Sequence, residues 1–285
     1  MAFKAYYQLT KPGIIYANLM TAVAGFIFGS YYGFNAIRLT GLVFGLGLII
    51  ASGCVINNVL DRKIDSKMKR TAKRATVTNE ISVRSALIFA AILGVGGILL
   101  QAFLTNLVSL AVSLIGLVFY VAIYGYAKRK TPYGTLVGSI SGAIPPVSGY
   151  AASRGFLDIG AIALFVILVC WQMVHFFGIA LYRQKEYEKA GIPIWPAVKG
   201  LASTKIQIKG FLVLFFIASL SLFFLGYTNY IYLGIVILTC IYWIFTVLST
   251  ETKMDQAKWG RKVFLSSLSV LIITSIAISI GPYIP

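Results

Sequence analysis

Acidic residues are scarce in this chain: 8 among 285, against 25 lysines and arginines, and it has a single histidine. Charged residues of both signs make up only 12%, about half the roughly 25% of an ordinary soluble domain. So little charge cannot coat a soluble enzyme that is 59% apolar with a mean hydropathy of +0.86. The formal net charge of +17 would suit a nucleic-acid-binding domain, but such a domain would not be so greasy, which excludes nucleic acid as a partner. Disorder is excluded by 19 Phe, 17 Tyr and 4 Trp. Cysteine is sparse too. Cys54, Cys170 and Cys240 lie inside apolar runs without metal-ligand spacing, and are read as small apolar filler. No Pro/Ser linker or low-complexity tract divides the chain, so a single domain spanning 1–285 is expected.

What is abundant is long apolar runs. Crossing the hydrocarbon core takes about 20 mostly apolar residues. Nine such runs are visible, at about 14–32, 38–60, 85–105, 107–126, 135–151, 159–181, 208–226, 230–248 and 263–281. They are continuous rather than alternating, so they predict helices and not a lipid-facing barrel. The fold class expected is an all-α polytopic membrane protein with nine transmembrane helices in one bundle.

Threading the charges through nine spans gives a sharp asymmetry: 23 of the 25 basic residues fall on one side, leaving Arg38 and Arg154 on the other. The positive-inside rule then puts the N-terminus and the long loops in the cytoplasm and the C-terminus outside. The connections after the second and sixth spans, at 61–84 and 182–207, are the long ones. Connections of that length in a compact protein are usually functional, and they are expected to cap an active site.

The first long connection begins Asn57-Asn58-Val-Leu-Asp61-Arg62-Lys63-Ile-Asp65. Asn57, Asp61 and Asp65 follow at i, i+4 and i+8, which places them on one helix face about 6 Å apart per step. Two carboxylates at i,i+4 repel each other unless a cation lies between them. An amide oxygen and two carboxylates make a hard-oxygen site of the kind that holds Mg²⁺ together with substrate phosphates. The Lys and Arg residues that follow supply donors for phosphate oxygens. The structural alternative is a solvated helix end with ion pairs and topology-setting lysines. Against it, Asn57, Asn58 and Asp61 begin inside an apolar run, where polar groups are costly.

The sixth span ends Trp171-Gln172-Met-Val-His175, followed by Tyr182-Arg183-Gln-Lys-Glu186-Tyr187 and Gly191-Ile192-Pro193. His175 lies about six residues, roughly 9 Å, inside the cytoplasmic end. A lone buried histidine is commonly a satisfied structural group, yet an ionisable group at that depth is also a functional candidate. Glu186 would stand opposite Asp61 if the second and sixth spans face each other.

The run Asn57-Asn58-x-x-Asp61-x-x-x-Asp65-x-x-Met68-x-Arg70-Thr71-x-x-Arg74 resembles the first aspartate-rich motif of the intramembrane aromatic prenyltransferase superfamily. Its Met-x-Arg-Thr-x-x-Arg continuation is similar to the heme O synthase (protoheme IX farnesyltransferase) branch. Three more segments agree in family order: Lys128-Arg129-Lys130-Thr131, the glycine-rich stretch from Gly138 to Gly149, and the Trp171-to-Pro193 segment. The chain departs from the family pattern at Ala75, where Pro is common, at Gly134, where Asn is common, and at Glu186, where Asp is usual.

The resemblance implies Mg²⁺-dependent transfer of a farnesyl group from farnesyl diphosphate to a vinyl group of heme B, giving heme O for a terminal oxidase. It implies metal ligation and catalysis by Asn57, Asp61, Asp65 and Glu186, and diphosphate binding by Arg70, Arg74, Lys128 and Arg129. It also implies a heme pocket that includes Trp171, His175, Tyr182 and Tyr187. The bacterial cytoplasmic (inner) membrane, an active site facing the cytoplasm, and handover to heme-copper oxidase assembly follow from the same resemblance. One alternative is a prenyltransferase for another aromatic acceptor, such as a quinone precursor. A transporter is the other, but it would be expected to carry charges at the bilayer midplane, whereas here they gather at one mouth.

Overall fold

Apolar runs become helices because a chain in hydrocarbon must satisfy its own backbone groups. A computed structural model describes residues 2–283, and no strand occurs among them. A short helix α1 (Ala2–Leu9) precedes α2 (Pro12–Gly29), α3 (Ala36–Asp65) and α4 (Val83–Leu104). Next, α5 (Leu107–Val118) continues through a π-helical segment, Phe119–Tyr124, into α6 (Gly125–Lys130). Then come α7 (Gly134–Gly142), α8 (Ile144–Arg154), α9 (Ile159–Tyr182) and α10 (Gln184–Lys189). Three long helices close the chain: α11 (Trp195–Phe224), α12 (Tyr230–Glu251) and α13 (Gln256–Ile280).

Among the described residues, eight stretches are long and apolar enough to cross a membrane. The fifth run read from the sequence, 135–151, is divided between α7 and α8, which meet at Ala143 just before Pro145-Pro146. Proline has no amide to donate and clashes with the preceding turn, so it opens α8 rather than prolonging α7. Large apolar side chains such as Phe44, Ile92, Phe103 and Phe245 are exposed on the outside of the bundle, as lipid-facing groups would be.

Two other boundaries differ from expectation. The second span runs on as helix to Asp65, so the whole Asn57–Asp65 motif is helical and Asp61 and Asp65 are both buried. The connection after the sixth span is also shorter than expected. It holds the one-and-a-half-turn α10, and α11 begins at Trp195, with a kink at Gly200 (φ 81°, ψ 169°). Lys199, Lys205 and Lys209 interrupt the apolar run there and conceal the helix start in the sequence.

The helices approach closely where glycine allows it. A Cβ at Gly25 of α2 would lie 2.1 Å from the Pro146 carbonyl oxygen, and one at Gly149 of α8 would lie 1.9 Å from that of Ala22. Small residues let backbones meet in this way inside a membrane. The main core forms around α9, with Leu164, Ile167, Val174 and Phe177 packed against Phe215, Trp243 and Trp259 of the last three long helices.

The two ends of the bundle differ in chemistry. At one end Arg38 donates to the Ser153 carbonyl at 3.2 Å, and the Arg154 guanidinium lies 4.4 Å from the Tyr32 ring centre. Tyr283 reaches that end too, donating to the Ile27 carbonyl at 2.7 Å. The remaining ionisable residues of the motifs gather at the opposite end.

A caged acidic helix end as candidate active site

Residues 57–65 form the last turns of α3, with Asn57, Asn58, Asp61 and Asp65 all buried. A buried carboxylate without a partner costs several kcal/mol, so the first question is what meets each one. Asp61 receives Lys128 Nζ on one oxygen and Arg129 on the other, the latter at 3.0 Å. Asp65 receives Arg74 at 2.5 Å, while its main-chain carbonyl accepts from Thr71 Oγ1 at 2.9 Å. The repulsion expected between the two carboxylates is therefore relieved by cations drawn from two other segments.

The cations reach Asp61 because of the π-helical segment. It carries the chain from α5 into α6 and delivers Lys128 and Arg129 to α3. π segments occur often at functional sites. The rings of Tyr120 and Tyr124 stack within it at 5.8 Å, and Lys128 Nζ lies 5.6 Å from the Tyr124 centroid.

Asn57 and Asn58 anchor the N-terminal region. Lys11 Nζ donates to Asn57 Oδ1 at 2.7 Å, and Asn58 Nδ2 donates to the Leu9 carbonyl at 2.7 Å. Lys11 itself is in the left-handed region (φ 54°), which costs roughly 1 kcal/mol for a residue with a Cβ. Burial pushes its ammonium pKa down to about 8. The far ends of the two amides, Asn57 Nδ2 and Asn58 Oδ1, are buried without a partner among the described residues.

The second motif comes over the same mouth. Glu186 Oε1 accepts from the Arg70 amide at 3.2 Å, and Oε2 pairs with Arg183 at 3.2 Å. Beneath this tie, Met68 from the first connection packs with Ala190 and Ile192 from the second, flanked by Ile64, Tyr187 and Ile194. Burial raises the Tyr187 hydroxyl pKa. Tyr187, Tyr124, Lys128, Phe176, Ile179 and Pro193 are among the residues lining a cavity of about 160 Å³ at this junction.

Of the residues the sequence singled out, Asn57, Asp61, Asp65, Arg74, Lys128 and Arg129 come together directly, and Glu186 joins them through the Arg70 main chain. Tyr182 lies at the end of α9 under the guanidinium of Arg183, 4.9 Å from its centroid. Trp171 and His175 lie elsewhere, on the face of α9 toward α13. There Trp171 Nε1 donates to the Ser267 carbonyl at 2.8 Å and His175 Nδ1 meets Ser267 Oγ at 2.7 Å. Sequence reasoning missed Lys11, Tyr120, Tyr124 and Ser267. For Tyr124 the signal was present, since it precedes Lys128 by one helical turn.

Among the described residues, no three His, Cys, Asp or Glu side chains stand close enough to enclose a metal ion. Oxygens of Asn57, Asp61, Asp65 and Glu186 are here engaged by lysine and arginine side chains or by the Arg70 main-chain amide. Amide and carboxylate oxygens are hard donors of the kind Mg²⁺ takes together with waters and substrate phosphates. Cations outnumber carboxylates around them, so the mouth is suited to a polyanion.

The profile of the UbiA prenyltransferase family matches residues 18–268. Protoheme IX farnesyltransferase 2 of Chromobacterium violaceum is 44% identical over 280 residues, covering 98% of this chain and 92% of that protein. Protoheme IX farnesyltransferase of Photorhabdus laumondii is 40% identical over 283 residues, with 99% and 96% covered. Among solved structures, a digeranylgeranylglyceryl phosphate synthase superposes with a TM-score of 0.81 at 20% identity, covering 98% of each chain. A UbiA homolog from Archaeoglobus fulgidus bound to GPP and Mg²⁺ gives 0.70 at 17% identity, covering 96% of this chain and 99% of that one.

Proposed function

This chain belongs to the UbiA prenyltransferase family, and from that premise we propose that it transfers the farnesyl group of farnesyl diphosphate to a vinyl group of heme B. The C1–O bond of farnesyl diphosphate breaks, a C–C bond forms to the vinyl carbon, and water adds at the neighbouring carbon. The products are heme O, diphosphate and a proton. The names of the curated relatives support the donor and acceptor. The observation that carries the reading is the buried pair Asp61 and Asp65 held in a surplus of cations at one mouth of a lipid-embedded bundle.

Asn57, Asp61, Asp65 and Glu186 would hold Mg²⁺, a metal also found with GPP in the A. fulgidus homolog. When bound, the metal neutralises charge on the departing diphosphate. Lys128, Arg129 and Arg74 now rest on carboxylates, and each has phosphate oxygens as its alternative partner. Arg70 extends the clamp from the same connection. Fixed donors aimed at charge as it develops are worth the most in a site that excludes water. The Tyr120 and Tyr124 rings offer π faces to an allylic cation at that edge of the clamp. The mouth is assigned to the cytoplasmic side of a bacterial inner membrane, with segments 61–84 and 182–207 as its cap, on the strength of the basic-residue asymmetry. Delivery of the product to terminal oxidase assembly completes the proposal.

The test uses membranes containing the full chain, incubated with heme B, farnesyl diphosphate and Mg²⁺, with pigments analysed by mass spectrometry. Farnesylated heme in the wild type and its loss in Asp61→Ala are expected. Absence of that product, or undiminished product in the variant, would overturn the reading.

A further inference from the structure

Ser267 lies on α13 with no solvent exposure, and its Oγ makes two short contacts. One is 2.6 Å from the Phe264 carbonyl oxygen; the other is 2.7 Å from His175 Nδ1. Two oxygens that close need a proton between them, and a carbonyl has none to give. The only hydrogen of the hydroxyl therefore points at Phe264. Toward His175, Oγ can only accept, so Nδ1 must carry a hydrogen. The ring is surrounded by Trp171, Phe176 and Phe264 at centroid distances of 4.7, 5.4 and 5.1 Å. No carboxylate pairs with it among the described residues, so the imidazole is neutral. A neutral imidazole protonated on Nδ1 has a bare lone pair on Nε2.

Two ties hold the ring's orientation. The Trp171 indole stacks on it at 23° and is itself bonded to the Ser267 carbonyl. Residues 171 and 175, one turn apart on α9, are thus both fastened to one residue of α13. The two nitrogens of an imidazole face diverging directions, so with Nδ1 turned to α13, Nε2 is turned away from it. Among the described residues Nε2 makes no hydrogen bond to the protein, and the residue as a whole keeps 9% exposure. Ile179, one turn above His175, lines the cavity shared with Phe176, Tyr124 and Lys128.

We propose that Ser267 is a positioning residue that fixes His175 in the Nδ1–H tautomer, presenting Nε2 as a ligand to the iron of the acceptor porphyrin. Histidines that ligate metals characteristically donate their other N–H to an oxygen acceptor, which sets the tautomer and raises basicity. The iron-porphyrin part rests on the heme B reading above; the tautomer stands without it.

Because His175 is the only histidine, ¹⁵N-histidine labelling of the purified protein gives a single imidazole signal. Two-bond ¹H–¹⁵N correlation is expected to show Nδ1 pyrrole-like and Nε2 pyridine-like; the reverse pattern overturns the tautomer assignment. Ferric heme titrated into the wild type is expected to saturate with a shifted Soret band. Ser267→Ala should weaken that binding by about 10-fold or more, while Ser267→Thr, which keeps the hydroxyl, restores it. The KM for farnesyl diphosphate should be unchanged in Ser267→Ala, which a general loss of packing would not leave intact. Wild-type spectrum and affinity in His175→Ala would overturn the ligand role while product formation still supports farnesyl transfer. A wild type that neither binds heme nor forms product would overturn the porphyrin part together with the proposed function.

Discussion

The main-chain amide of Arg70 donates to Glu186 Oε1 at 3.2 Å, across 116 residues of sequence. This bond joins the connection after α3 to α10, and the Met68–Ala190–Ile192 contact packs beneath it. The two acidic motifs therefore meet through a backbone group rather than by facing carboxylates. A carboxylate at 186 can hold the connections together and still offer an oxygen to a metal.

Substituting Asp61→Asn keeps the shape and removes the charge that Lys128 and Arg129 now hold. Product formation should fall by about 10²-fold or more, the cost typical of losing one preorganised electrostatic element. Single-turnover mass spectrometry of the heme product measures it. A rate within threefold of wild type would remove Asp61 from the reaction.

Glu186→Gln and Glu186→Ala separate the two duties of that side chain. Gln can still accept from the Arg70 amide, so its thermal stability in detergent should match wild type, whereas Ala should lose about 1 kcal/mol with the hydrogen bond. Both should lose at least about tenfold in activity at low Mg²⁺, because both lose the anionic oxygen. Full activity in the Gln variant would leave Glu186 with the tie alone.

Chelation is the direct test of the metal. Treatment with excess EDTA should abolish turnover, and added Mg²⁺ should restore it. The secondary structure, followed by circular dichroism, should be unchanged throughout, because the carboxylates already have cationic partners in Lys128, Arg129 and Arg74. Activity that persists in EDTA would rule out a dissociable metal.

Helix packing gives a prediction independent of chemistry. Gly25→Ala places a methyl 2.1 Å from a backbone oxygen of α8, and overpacking of that kind costs about 1–3 kcal/mol. Gly210→Ala meets nothing within 4 Å and sits inside a helix, so it should be neutral or stabilising by up to about 1 kcal/mol. Thermal unfolding in the same detergent should rank them in that order; equal midpoints would contradict the α2–α8 contact.

The bundle was legible because hydrocarbon allows so few backbone solutions, and the motif face was legible because i, i+4 spacing is local. Asp61 and Asp65 share one end of α3, as their spacing predicts, and the fold buries both there. What lay hidden was non-local or masked by composition. Nothing near Lys11 signals that its ammonium bonds Asn57, 46 residues away. Ser267 sits in an apolar run, where a serine reads as small filler, and its role appears only once α13 lies against α9. The start of α11 was obscured by lysines that the folded chain places on Glu251 (Lys205 and Lys209) and by a glycine kink. The break between α7 and α8, by contrast, is marked in the sequence by Pro145-Pro146, although the run around it counts as one span.

The π-helical segment at Phe119–Tyr124 works as a phase adjuster. Each residue of an α-helix advances about 100° around the axis, so a widened turn changes the azimuth of everything that follows. Deleting one residue there to restore a regular helix would turn Lys128 and Arg129 away from Asp61 by about that angle, with every side chain of the proposed site still present. The register of one lipid-facing helix is therefore as much a part of the charge arrangement as the charges themselves.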